Sequence, residues 1–182
     1  MDQSLQSNHL DSNHDLISRH VALKNENGKY AFIHNGSKIY EWHQDLDSVS
    51  IILPSPSTNL DAKDFDIQIK PKRLKIGLKG YDRYFIDEEI FDVIDSAESS
   101  WFLDEGSINI FLVKSKRGQV WDFPLYSKDA PMEVDEYTKQ EMRKDLMLER
   151  FSEENPGFDF RNASFNGSVP DPREFLNGIK YN

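Results

Sequence analysis

The sequence predicts an all-β fold, an antiparallel β-sandwich of about seven strands followed by a C-terminal α-helix. Three observations carry this. Two neighbouring runs alternate apolar and polar residues with a period of two, with Phe65, Ile67 and Ile69 in one and Leu74, Ile76 and Leu78 in the other. Turn residues recur at short intervals along residues 38–128, with no helical period between them. Helix composition, rich in Glu, Lys, Met and Leu and free of Gly and Pro, begins only after Pro131.

In chain order, residues 1–20 are polar and aperiodic and read as a loosely held tail. His9, His14 and His20 do not recur on one face, so they are not read as metal ligands. Short edge strands are expected at residues 21–23 and 30–33 around a turn at 25–28. The division that results is a polar N-terminal tail at 1–37, the sandwich at 38–128, and a helix with an extended aromatic tail at 129–182. Within the sandwich, Tyr40, Trp42 and Leu46 share a face of which Gln44 is the polar member. Val49, Ile51 and Leu53 form the next strand, and Pro54 ends it. Pro71, with no N–H to donate, marks the turn between the two central strands. Residues 84–86, 89–94 and 100–103 read as further short strands. Ile108, Ile110 and Leu112 face one side of the strand after them, while Phe111 and Val113 make its other side apolar too. That marks a central strand, or one covered by another part of the chain. Residues 120–123 make a last strand. Trp42, Trp101 and Trp121 fall in these strands and read as framework, lining a contact surface being their alternative role.

The helix is expected over residues 132–151, with Asp129 and Glu133 near its positive end and Arg150 near its negative end. Val134, Tyr137, Leu148 and Phe151 lie together on it. Phe158, Phe160 and Phe165 then point to a segment laid over an apolar groove, and residues 169–182 look poorly ordered.

A net charge of −10 disfavours nucleic acid and anionic membranes as partners. The absence of cysteine excludes disulfides and thiolate-held zinc. The first residues lack a secretory pattern and no apolar run approaches the roughly 20 residues that span a bilayer, so the expectation is a cytoplasmic protein. There is no phosphate loop, dinucleotide fingerprint, zinc-protease motif or nucleophile elbow, so neither enzyme nor cofactor is expected. Charge is segregated instead. Residues 70–83 hold six cations and one acid, whereas residues 87–105 hold eight acids and no cation. Lys70, Lys72, Arg73, Lys75 and Lys79 are therefore the candidate partner-binding residues, a cationic strand face that would steer an acidic protein surface. Expected to be exposed, Lys72 and Lys75 should tolerate joint reversal to Glu without loss of folding but with weaker partner binding.

Four features together resemble the CS domain of the NudC nuclear-movement family. They are Tyr40, Trp42 and Gln44 at alternate positions, LKIGLKG at 74–80, ESSWFLDEG at 98–106, and Trp121. The run LERFSEENPGFDF at 148–160 is similar to the C-terminal extension of the family's short members. The resemblance implies a sandwich of the alpha-crystallin and co-chaperone type. It also implies work with heat shock protein 90, clients that include β-propeller regulators of dynein, and suppression of aggregation without nucleotide. Two residues depart from the family pattern: Glu88 where a turn glycine is usual, and Asp122 in place of the second Trp of a pair. Residues 1–37 lack the heptads of the long members' coiled coil, so a monomer or a homodimer by another route is expected. A passive adaptor that bridges partners without holding them fits the same residues. A small heat-shock protein would need an Ile-x-Ile tail, which is absent.

Overall fold

A computed structural model describes residues 19–22, 24–127 and 133–179; for 19–22 it gives the strand path alone. Strands β1 (Arg19–Ala22), β2 (Tyr30–His34), β3 (Ser37–Gln44), β4 (Ser48–Pro54), β8 (Ile94–Asp104) and β9 (Ser107–Lys114) form one antiparallel sheet in the order β1-β2-β3-β4-β9-β8. Strands β5 (Phe65–Lys70), β6 (Arg73–Leu78), β7 (Tyr84–Ile90) and β10 (Leu125–Tyr126) form the second, in the order β10-β7-β6-β5. The sandwich is thus present. The core between the sheets takes Trp42, Ile51, Ile110 and Leu112 from the first and Leu74, Ile76 and Ile90 from the second, with Trp121 beside them. These are the apolar members of period-two runs, which is why the register is fixed: a slip by one residue would turn each of them to solvent.

The short strands expected before Lys38 are formed, and β2 adds Tyr30 and Phe32 to the core, opposite Trp42 and Tyr40 of β3. Their rings meet at centroid separations of 5.2 and 5.0 Å. His9, His14 and the side chain of His20 lie outside the described residues. Residues 84–90 are one unbroken strand, so Glu88 occupies a ladder position opposite Leu74 and not a turn. The expected strand at 120–123 is absent. Trp121 is fully buried there, but its amide bonds the Gln44 side chain instead of a neighbouring strand, and the ladder resumes at β10. Trp42 is also fully buried, whereas Trp101 is half-buried with its ring 6.2 Å from that of Phe65.

Helix α1 runs from Glu136 to Glu154, with Asp135 as its N-cap accepting from the Thr138 amide at 2.9 Å and from its hydroxyl at 2.6 Å. Met132, Asp129 and Pro131 lie outside the described residues. The buried side is Thr138, Met142, Leu146, Met147 and Arg150, not the face of Val134, Tyr137, Leu148 and Phe151. Tyr137 is in fact 65% exposed. Two polar members of the buried side conceal it from a hydropathy reading, because both find partners inside the protein. The helix lies across one end of the sandwich. Its Met142 enters the core, Asp145 accepts from Tyr30 Oη, and Glu153 receives Arg117 from the loop after β9.

The segment after the helix is packed. Phe160, Phe165 and Phe175 surround Phe151 at ring separations of 5.7, 6.2 and 5.8 Å, while Phe158 stays exposed. Residues 169–179 are held rather than loose. The Val169 amide donates to Gln140, Pro172 is buried, and Ile179 sits over Gly118, whose positive φ of 73° and lack of a side chain leave it room.

Candidate partner-binding surfaces

The cationic row lies on β6 and at its ends, and β7 brings the acidic stretch directly against it. Arg73 stands opposite Glu89 and Lys75 opposite Asp87 in the register. Arg73 Nε reaches Asp87 Oδ1 at 2.6 Å, Lys75 Nζ lies 3.8 Å from Asp87 Oδ2, and Lys72 Nζ lies 3.3 Å from Glu89 Oε1. The charges that are segregated along the chain are therefore adjacent in the sheet. Lys70 and Lys79 are the exposed members of the row and are in no ion pair among the described residues. They sit at opposite ends of β6.

Lys72 is not a free surface cation. Its ammonium donates to the carbonyls of Ile90 at 3.1 Å and Phe91 at 3.0 Å, tying the Pro71 turn to the connection after β7. Lys75 is half-buried, with its ammonium 4.9 Å from the centroid of the Tyr84 ring. Tyr84 lies across Gly77 to donate to Asp66 at 2.6 Å, and a β-carbon at Gly77 would stand 2.9 Å from the Tyr84 ring. The glycine in LKIGLKG thus makes room for an aromatic bridge over β6. Because Lys72 anchors backbone, Lys72→Glu should cost about 1–3 kcal/mol by removing its carbonyl bonds and placing a carboxylate beside Glu89. Urea unfolding checks this against Lys70→Glu, which should leave stability within about 0.5 kcal/mol.

Three acids of residues 87–92 are in ion pairs: Asp87 and Glu89 as above, and Asp92 with Lys116 at 2.7 Å. The Lys116 bond holds the Asp92 carboxyl down at about 2. Among the described residues no group of His, Asp or Glu is arranged to hold a metal. Asp122, the departure beside Trp121, lies 3.6 Å from Lys139 of the helix, so the substitution contributes to docking the helix.

On the six-stranded sheet, β9 runs between β4 and the edge strand β8, an interior but not central strand whose second apolar face stays partly exposed. Its outward face carries Phe111, 38% exposed, and Val113; Phe102 on β8, 53% exposed, and Ile52 on β4 flank Asn109 in the register. Phe102 and Ile52 were not singled out in the sequence. Period-two alternation alone does not say which apolar residues find cover.

Where the helix meets the sandwich, the buried Lys114 ammonium donates to Gln44 Oε1, the Asp45 carbonyl and the Gln119 carbonyl at 3.0, 2.7 and 2.9 Å. Burial lowers it to about 8, against the pull of Asp45, Glu149 and Asp47. Glu149 accepts from the Leu46 amide at 3.1 Å, and burial pushes its carboxyl up to about 7, with Asp45 and Glu153 adding to the rise. The folded form holds this proton more tightly than the unfolded chain does. Glu149 therefore supports folding fully below about pH 4.5, and that support is lost as pH rises through about 7. Lys114 stays largely charged in both states up to about pH 7, so the slope below that belongs to Glu149. Glu149→Gln, which keeps an acceptor for Leu46, should be more stable than the parent at pH 8 by about 1–2 kcal/mol, with the gap closing toward pH 4.5. Thermal melts at the two pH values read it out.

No helix among the described residues is long and apolar enough to cross a membrane. The family model described as the CS domain matches residues 38–114. NudC domain-containing protein 2 of Homo sapiens is 31% identical over 131 residues, covering 70% of this chain and 80% of that protein. Protein BOBBER 2 of Arabidopsis thaliana is 29% identical over 160 residues, and the chain spans only 54% of its length. Nuclear migration protein nudC of Drosophila melanogaster is 28% identical over 161 residues, with 48% of its length spanned.

Proposed function

Because the chain belongs to the NudC family of CS-domain proteins, we propose that it is a co-chaperone that binds and stabilises client proteins without ATP. It works with heat shock protein 90 in the cytoplasm. The Drosophila relative is named for nuclear migration, and the proposed clients belong to that pathway, dynein-linked β-propeller proteins among them. With no nucleotide to drive a cycle, such a protein acts only by differential binding, which shifts a client's population toward the state it prefers.

The observation that supports this reading best is where the C-terminal extension goes. Helix and tail close one end of the sandwich, and exposed residues remain on both sheets, Phe102 and Phe111 on one and Lys70 on the other. Lys70 on β5 and Lys79 just after β6 are exposed and in no ion pair among the described residues, and these two are proposed as the cations that steer the partner chaperone. Lys72, Arg73 and Lys75 frame them while engaged with β7. Trp42 and Trp121 hold the framework. Titration calorimetry against heat shock protein 90 tests the assignment. Lys70→Glu with Lys79→Glu should weaken binding on the order of tenfold and flatten its salt dependence, with the melting temperature unchanged. Unchanged affinity would remove the cationic face from the proposal.

A further inference from the structure

The outward face of β4, β9 and β8 combines apolar rings with uncompensated negative charge. Phe102 and Phe111 are 53% and 38% exposed, and Ile52 and Val113 lie beside them. The one cation of these strands is Lys114 at the end of β9, which is buried and bonded to Gln44, Asp45 and Gln119; residues 48–54 and 94–113 contain no Lys, Arg or His. They do contain Asp95, Glu98, Asp104 and Glu105. Asp104 follows Phe102 by two residues on β8 and so shares its side of the sheet. None of the four is in an ion pair among the described residues, in contrast to Asp87, Glu89 and Asp92. Of these four, only Asp95 is engaged otherwise, accepting from the amides of Ala97 and Glu98.

We propose that this face binds an extended segment of a partner protein in which apolar side chains are interspersed with lysine or arginine. Geometry favours an extended occupant. Phe102 pairs with Asn109, so Phe111 is its diagonal neighbour, roughly 7–8 Å away. Apolar side chains at i and i+2 of an extended chain repeat at about 6.6–6.8 Å and would meet both rings. Charge chooses among occupants. A second copy presenting the same face would set carboxylate against carboxylate, and nucleic acid or an anionic lipid surface would be repelled. A basic apolar segment is attracted at the rim and dehydrates the rings at the centre.

This surface is distinct from the cationic one. It rests on the reading of the chain as a binding module, and its test keeps the two questions apart. A soluble peptide with leucine and lysine spaced by serine is titrated into the protein and followed by amide NMR, alongside the same peptide with glutamate for lysine. The lysine peptide should shift the amides of β4, β9 and β8, weaken with added salt, and bind at least tenfold more tightly than the glutamate peptide. Phe111→Ser should lower its affinity on the order of tenfold without changing the melting temperature. Asp104→Asn, which leaves the rings in place, should reduce the salt dependence and the preference for lysine. Equal binding of both peptides, shifts confined to other strands, or no binding at all would overturn the proposal. Aggregation suppression retained in Phe111→Ser would overturn it too, and would leave the co-chaperone reading standing.

Discussion

Arg150→Ala is expected to lower stability by about 3–5 kcal/mol, the range for stripping a buried charged group of its partners. The guanidinium is 2% exposed and donates to the carbonyls of Pro172, Phe175 and Gly178 at 2.5, 2.8 and 2.7 Å, with Nε on Glu154 at 2.7 Å. It is the clasp between helix and tail. Truncation leaves three carbonyls short of a donor in a site that water enters only if the tail lifts. The expected phenotype is therefore release of residues 169–179 together with loss of stability, seen as new protease cleavage there while the β-sheet circular dichroism persists. Arg150→Lys should rescue little, since one ammonium cannot span acceptors arranged for a planar fork. A melting curve and digestion pattern like the parent's would show that the tail is held by its phenylalanines alone.

Trp121→Ala should cost a similar amount, about 3–5 kcal/mol, by a different route. The ring is fully buried, 5.5 Å from Phe91, and no strand ladder holds its backbone. The Gln44 side chain does so instead, accepting from the Trp121 amide at 3.0 Å and donating to its carbonyl at 2.8 Å. Loss of the ring leaves a cavity between the sheets and loosens the loop that carries Asp122 to the helix. Denaturant unfolding followed through the remaining tryptophans measures it. A loss below about 1 kcal/mol would mean that the site collapses around the gap. Trp101→Ala, at a half-buried position, should cost less than either.

The sheet was legible wherever one face of a strand is buried, because alternation then has only one interpretation. Phe65 to Leu78 and Ile108 to Leu112 read directly, and even Gln44 was placed on the inward row where it now brackets Trp121. Legibility failed where polar groups are buried with partners that are remote in sequence. Arg150 looks like a helix-end cation until the carbonyls of Pro172 and Gly178 arrive from more than twenty residues away. The cationic row failed for the opposite reason. Lys72, Arg73 and Lys75 look like a free face along the chain because their acids stand on the next strand, and only the register of β6 with β7 brings them together.

The measurement closest to the central claim is light scattering from a heat-labile client protein, with this protein at equal concentration and without nucleotide. Scattering should be suppressed in proportion to added protein and unaffected by ATP, because the proposed mechanism holds non-native surfaces by binding alone. Undiminished scattering across several clients would contradict a holding activity and leave the chain as a bridge between other proteins.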